Sequence, residues 1–160
     1  METKRPAKVH TLKTALEKLR KYCAYQERTQ QEARDKFYEL GLHQREVEQG
    51  ISLLIEEGFI NEDRFAIAFA GGRFRIKQWG KNKIKSELRL RKISEYCIRK
   101  ALSLIDDKDY IKALEKLIAQ KGISTKGVNE AQKKYKVARY AIGRGFESDL
   151  VWGLLNAEVG

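Results

Sequence analysis

The stretch Phe59–Ile93, FINEDRFAIAFAGGRFRIKQWGKNKIKSELRLRKI, decides both the fold class and the first functional expectation. It begins with an acidic turn at Asn61–Asp63, continues as an apolar and aromatic segment, breaks at Trp79-Gly80 and then becomes strongly basic. Residues 73–100 carry eleven Lys or Arg against two acids. Much of the formal net charge of +11 therefore lies in one short piece of the chain.

Apolar residues recur at helical spacing throughout this stretch. Asn61 is predicted to cap a long helix that runs to Trp79, with an apolar face formed by Phe65, Ala68, Phe69, Gly72, Ile76 and Trp79. Two shorter helices follow, one from Lys81 to Arg91 and one capped by Ser94. The pair Gly71-Gly72 predicts a close approach to a neighbouring helix, with a hinge as the alternative.

The same three-helix pattern occurs before and after this stretch. Shifting the first pattern by 51 residues superposes six apolar pairs, namely Ala33/Ile84, Phe37/Leu88, Leu42/Ile93, Val47/Ile98, Ile51/Leu102 and Leu54/Ile105. A shift of 53 from the middle pattern superposes Ile98 on Val151 and Leu102 on Leu155. Fixed shifts of this kind are typical of tandem repeats, whose units complete their cores by stacking.

The expected architecture is therefore all-α, with three tandem three-helix repeats forming an elongated, curved helical array. Residues 1–10 are expected to form a flexible basic tail, and the repeats are assigned to residues 11–58, 59–106 and 107–160. The single proline, Pro6, leaves helix possible over the remaining length.

The composition argues against several classes of protein. No apolar run approaches the roughly 20 residues that a membrane span needs, and no secretory signal is evident, so a cytoplasmic protein is expected. Cys23 and Cys97 lie far apart, and His10 and His43 have no companion at ligand spacing. We expect no metal, no cofactor and no catalytic arrangement of nucleophile and base, and hence a protein that is not an enzyme.

Two basic runs are the candidate binding surface. In the first, Lys81, Lys85, Arg89 and Lys92 share one helix flank without interleaved carboxylates, so a binding face for phosphate or for an acidic protein is favoured over a solvated face, which usually mixes signs. The helical spacing of the aromatic residues favours core packing over base stacking. The candidate residues are Arg73, Lys77, Lys81, Lys83, Lys85, Arg89, Arg91, Lys92, Lys133, Lys134, Lys136, Arg139 and Arg144.

Three segments carry a resemblance to a known family. Residues Arg28–Phe37 are similar to its Arg-Ser/Thr-x-x-Glu-Leu-x-x-Lys-Leu helix, and Gly58–Ala66 to its Gly-Leu-Leu/Ile-x-Asp/Glu-x-Arg-Phe-Ala segment. Residues Trp79–Leu88 are similar to its Gly-x-x-Lys/Arg-Ile-x-x-Glu-Leu segment, and Arg144–Phe146 is a weaker fourth match. In this order, over about residues 11–157, the chain resembles the RecX family, the bacterial regulators of the RecA recombinase.

The resemblance implies regulation without catalysis. It implies a protein that binds RecA and the groove of RecA–single-stranded DNA filaments, and that lowers strand exchange, ATP hydrolysis and coprotease activity. Weak non-specific DNA binding and a monomer are also expected. One alternative is a helix-turn-helix-like module that binds DNA directly, without RecA, and shows a sequence preference. Another is a helical-repeat scaffold for an unrelated acidic protein.

Overall fold

The computed structural model describes residues 10–157. Residues 1–9, which make up nearly all of the predicted basic tail, and residues 158–160 lie outside the described part. The described chain divides into two compact units, one ending at Phe65 and the other beginning at Ala66. Within the described residues the regular structure is helical, with no strand, so the predicted all-α class is confirmed.

The first unit contains α1 (Leu12–Tyr25), α2 (Gln30–Glu39) and α3 (Gln44–Glu56), and the start of α4 (Glu62–Arg75). The Thr29 hydroxyl accepts the amide of Glu32, whose carboxylate in turn accepts the amide of Thr29, which forms a capping box at the start of α2. The core of the unit includes Leu19, Phe37 and Leu54, all fully buried. These packed side chains hold the three helices as one bundle.

Ion pairs join the helices and turns of the first unit at its surface. Arg20 on α1 donates two hydrogen bonds of 2.9 Å to Glu57, just after α3. Arg64 binds Glu27 and also donates to the carbonyl of Gly58 at 2.9 Å. Solvent screens exposed pairs of this kind, so the apolar core remains the main source of stability.

The second unit contains the rest of α4 and two further sets of helices. These are α5 (Lys81–Leu90), α6 (Glu95–Ser103), α7 (Asp107–Ser124), α8 (Glu130–Gly143) and α9 (Ser148–Ala157). Side-chain caps begin α6 at Ser94, α7 at Asp106 and α8 at Asn129. The order of three helices thus recurs along the chain, as the sequence repeats predict.

The repeat equivalences hold at the level of burial. Eleven of the twelve residues in the six predicted pairs are buried; Leu102 is the half-buried member. Val151 and Leu155, the predicted partners in the third repeat, are 0% and 4% exposed. The apolar matches therefore mark core positions.

The second helix of each repeat ends in the same way. A residue with positive φ follows it, and the next amide donates back five residues to the helix, which is the Schellman arrangement. The positive-φ residues are Gly41, Lys92 and Gly145, and the apolar residues that follow them are Leu42, Ile93 and Phe146, all buried. Lys92 adopts at φ 60° a conformation for which the other two repeats use glycine.

The predicted extent of α4 is wrong. The helix ends at Arg75, and Ile76 and Ala68, both assigned to its buried face, are exposed. Gln78 adopts φ 57°, and the Trp79 amide donates to the Arg73 carbonyl at 3.1 Å, which turns the chain away from the helix axis. The helical spacing of apolar residues continues through this turn because Ile76 and Trp79 lie in it, so the sequence predicts a longer helix.

The predicted close approach at Gly71-Gly72 is also wrong. A Cβ on Gly72 would meet no atom within 4 Å, and one on Gly71 would meet the end of the Arg75 side chain of the same helix. The close approach in this part of the chain lies at Gly80 instead, where a Cβ would lie 2.2 Å from the amide nitrogen of Phe146.

Candidate interaction surface of the second repeat

A cluster of cations and aromatic rings joins the end of α4 to α5. Arg73 lies over two rings, 4.5 Å from the centroid of Phe69 and 5.4 Å from that of Trp79. Lys83 lies 4.6 Å from the Trp79 centroid, and Arg91 lies 4.7 Å from the Phe69 centroid. We call these five residues the cation–aromatic cluster. Each such contact is worth roughly 0.5–1 kcal/mol near the surface, so the cluster holds three predicted site residues together.

Of the two rings in this cluster, that of Phe69 belongs to the core, as the aromatic spacing predicts. Phe69 is 9% exposed and packs edge-on against the half-buried Trp79, with ring centroids 6.4 Å apart. Phe74, on the same helix, is 8% exposed. The charged groups of the three cations therefore lie over the aromatic rings, on their outer side.

The expectation that carboxylates are absent from the first basic run needs correction. Arg89 donates to Glu95 at 2.7 and 3.1 Å, and Arg91 donates to Glu87 at 2.8 Å. The hydrogen bond from Arg89 lowers the pKa of Glu95 below its ordinary value. The helical spacing thus places Glu87 beside Arg91, and the turn after α5 places Glu95 beside Arg89. These two arginines are paired with acids and are less available to a partner.

The remaining cations of this run have different surroundings. Lys77 and Lys92 are exposed, and Lys85 is half exposed on α5. Lys81 is partly covered, since its amine lies 4.8 Å from the Tyr110 ring centroid and 3.9 Å from Asp107. Lys77, Lys85 and Lys92 are consequently the residues of this run most available to a partner.

The second and third repeats meet through their backbones at this surface. The Gly80 amide donates to the Arg144 carbonyl at 2.8 Å, and the Asn82 amide donates to the Gly145 carbonyl at 2.9 Å. A Cβ on Gly145 would lie 2.4 Å from the Cβ of Lys83. The two glycines are therefore needed for space, and Gly145, with φ 103°, also for conformation.

Side chains from both repeats surround this backbone contact. Arg144 donates a hydrogen bond to the Lys77 carbonyl, just beyond α4. Tyr110 packs between Phe74 and Phe146, with ring centroids 5.7 and 5.2 Å away. We call the contact between Gly80 and Gly145, with these side chains around it, the repeat junction.

The second basic run is only partly associated with the first. Arg144 belongs to the repeat junction, whereas Lys136 donates to the Lys126 carbonyl at 2.8 Å and ties down the loop before α8. Lys133 and Lys134 line a groove of about 340 Å³ between α7 and α8, and Arg139 is exposed on α8. Among the described hydrogen bonds and ion pairs, only Arg144 links this run to the second repeat.

Sequence reasoning missed Tyr110 and Glu147. The Tyr110 hydroxyl accepts the Lys81 amide at 3.0 Å and donates to Glu147. Burial, and then the hydrogen bond to Glu147, raise the pKa of Tyr110 far above its ordinary value, so the hydroxyl keeps its proton. Tyr110 sits at an unremarkable helical position, and no spacing in the sequence singles it out.

Residues 10–157 lack two kinds of feature. No helix in that range has the length and hydropathy of a membrane span. The same range holds no group of three or more His, Cys, Asp or Glu side chains placed to bind a metal ion.

Two family models match the chain. The model described as RecX, second three-helix domain, matches residues 61–102, from the cap of α4 into α6. The model described as RecX, third three-helix domain, matches residues 107–155, from the start of α7 into α9. Together the two matches cover more than half of the sequence.

The chain belongs to the RecX family.

Curated RecX proteins are similar along most of this chain. The regulatory protein RecX of Clostridium tetani is 30% identical over 131 residues, which are 81% of this chain and 60% of that protein. The regulatory protein RecX of Clostridium perfringens strain 13 is 28% identical over 124 residues, 76% of this chain and 58% of that protein. The chain thus spans about three fifths of the length of these relatives.

Solved RecX structures share the fold. The crystal structure of RecX from Lactobacillus salivarius has a TM-score of 0.82 and 22% identity, and the match covers 91% of this chain and 95% of that one. A crystal structure of regulatory protein RecX has the same TM-score with 21% identity. The RecX fold therefore extends over nearly the whole chain.

Proposed function

We propose that this protein binds RecA–single-stranded DNA filaments and lowers their recombinase, ATPase and coprotease activity. The proposal extends to this chain the regulatory role for which its RecX relatives are named. It assigns the contact to the cations of the second repeat, with Lys77, Lys85 and Lys92 as the most available. The proposed role is binding, without catalysis by the protein itself.

The distribution of charge is the observation that carries the proposal. Residues 1–65 hold 12 Lys or Arg and 12 Asp or Glu, whereas residues 66–160 hold 21 and 10. The whole net charge of +11 therefore belongs to the second unit, and the first is formally neutral. Such an asymmetry favours binding to a polyanion through one part of the molecule.

The combination of lysine and arginine side chains supports a partner that contains both DNA and protein. Lysines such as Lys77 and Lys92 act as point charges that suit phosphate, while Arg73, Arg89 and Arg91 are held by rings or by carboxylates. A nucleoprotein filament presents both DNA phosphates and acidic protein side chains. A surface of partly neutralised arginines and exposed lysines is suited to such a partner.

The test is the single-strand-dependent ATP hydrolysis of RecA with this protein added below the RecA concentration. We expect the rate to fall as the protein is added, and the effect to weaken as salt is raised, because cation–phosphate contacts release counterions. A hydrolysis rate that does not change at any ratio would contradict the proposal.

The same protein preparation separates the proposal from direct DNA regulation. A helix-turn-helix-like reader would prefer one duplex sequence over scrambled duplex of the same length. Fluorescence anisotropy with both duplexes is expected to give equal, weak and salt-sensitive binding. A strong sequence preference in the absence of RecA would favour the alternative.

A further inference from the structure

Helix α5 carries much of the basic surface, yet its own sequence lacks the residues that usually stabilise a helix N-terminus. Its N-cap is Gly80, which offers no side-chain acceptor, and its first turn has no acidic residue. That turn carries Lys81 and Lys83 instead, and their charges oppose the positive end of the helix dipole. By contrast, α6, α7 and α8 each begin with a side-chain cap and an acid in the first turn.

The third repeat supplies what this helix start lacks. The first amide of α5, that of Lys81, donates to the Tyr110 hydroxyl at 3.0 Å, and the second, that of Asn82, donates to the Gly145 carbonyl at 2.9 Å. Amides in the first turn of a helix have no partner within the helix and need one from outside. Here both acceptors come from another repeat.

Tyr110 is held in the orientation that this role requires. It is 3% exposed and lies between the rings of Phe74 and Phe146. Its hydroxyl proton is directed to Glu147, so an oxygen lone pair is left for the Lys81 amide. The same ring lies under the Lys81 amine, which places the charge as well as the amide.

We propose that Tyr110 is a positioning residue for the basic surface: the third repeat caps α5 and thereby holds the lysines of the second repeat in their binding arrangement. The inference rests on the proposed function for its consequence, but the capping itself can be measured without any partner. The repeat junction then couples the fold of the third repeat to binding by the second.

The test compares Tyr110→Phe with the wild type by amide hydrogen exchange and by RecA ATPase inhibition. The variant keeps the ring and removes only the oxygen. Exchange is read at Ile84, whose amide donates to the Gly80 carbonyl within α5 at 3.2 Å, so that loss of the Lys81 bond alone does not account for a change. Losing one such bond corresponds to roughly fivefold faster exchange at Ile84. It corresponds to at most about fivefold more protein for half-inhibition, the full factor applying where the capped state of α5 is the less populated one.

Two further variants separate positioning from general damage. Tyr140→Phe, at a 38%-exposed tyrosine of α8, removes a hydroxyl from the same repeat and is expected to leave both readouts unchanged. Adding Asn82→Ala to Tyr110→Phe raises the helix propensity of the same first turn. It is expected to slow exchange at Ile84 roughly threefold relative to Tyr110→Phe alone. A merely destabilised third repeat would not be rescued at α5.

Unchanged exchange at Ile84 in Tyr110→Phe would overturn the capping role, whatever the wild type does to RecA. Faster exchange with unchanged inhibition would overturn the link between capping and binding. If the wild type does not inhibit RecA at all, the proposed function fails, while the exchange measurement still decides whether the third repeat caps α5.

Discussion

At the scale of single residues, Lys92 is the clearest departure from the repeat pattern. It adopts φ 60° at a position where the first and third repeats have Gly41 and Gly145. An L-residue in this region costs roughly 1 kcal/mol relative to glycine. A lysine kept there is consistent with the binding role proposed for its exposed side chain, since strained residues cluster at functional positions.

Replacing Lys92 by glycine is therefore expected to stabilise the protein, by roughly 0.5–1 kcal/mol in the free energy of unfolding measured with urea. The matched control is Lys85→Gly, inside α5, which is expected to destabilise by about 1 kcal/mol. Equal losses in the two variants would contradict the role assigned to the backbone conformation of Lys92.

Single carboxylates of the first unit set part of its acid sensitivity. The hydrogen bond from Arg20 lowers the pKa of Glu57 below its ordinary value of 4.5, and Arg34 does the same for Glu48. Because the folded pKa is the lower one, this stabilisation is present above 4.5 and is lost as the pH falls through the folded pKa.

Glu57→Gln is accordingly expected to reduce the loss of stability between about pH 7 and about pH 3. Urea unfolding at the two pH values measures it, with Glu56→Gln, at the exposed neighbour on α3, as control. The account of the Arg20–Glu57 pair is wrong if Glu57→Gln loses as much stability on acidification as the wild type.

At the scale of helices, α4 shows what periodicity can and cannot predict. Its cap at Asn61 and its buried aromatic residues were predictable, because a cap and a regular apolar spacing are local features. Its end at Arg75 was not, because the turn around Gln78 contains no glycine or proline to mark it. Apolar Ile76 and Trp79 continued the helical pattern past the true end.

The interior of α4 also contains a glycine with no structural need. A Cβ on Gly72 would meet open space, so Gly72→Ala is expected to stabilise by roughly 0.5–1 kcal/mol through helix propensity. Gly80→Ala, where the Cβ would meet the backbone of Phe146, is expected to destabilise by roughly 1–3 kcal/mol. Thermal unfolding of both variants measures whether each change raises or lowers stability. A loss of stability in Gly72→Ala would contradict the prediction that no neighbouring atom requires glycine there.

At the scale of the whole molecule, the repeated three-helix order followed from the sequence because core positions such as Val47, Ile98 and Val151 keep their spacing. The candidate site followed only in part. The basic run was visible as charge, whereas its pairing with Glu95 and its attachment to Tyr110 depend on the turn after α5 and on a contact between repeats. Neither is encoded in a local pattern.

The two units of the chain differ in net charge, and this difference predicts which unit contacts the filament. The first unit is formally neutral and the second carries the full excess of positive charge. If the second repeat makes the contact with the filament, reversing three of its available lysines must abolish regulation, whereas the same reversal in the first unit must not.

The most direct test measures RecA ATP hydrolysis on single-stranded DNA with the triple variant Lys77→Glu, Lys85→Glu, Lys92→Glu. Its matched control reverses three exposed lysines of α1, Lys13, Lys18 and Lys21, and so makes the same change in net charge. We predict that the wild type and the α1 variant inhibit hydrolysis alike and that the second-repeat variant does not. Circular dichroism is expected to show that both variants are folded. Normal inhibition by the second-repeat variant would contradict the account.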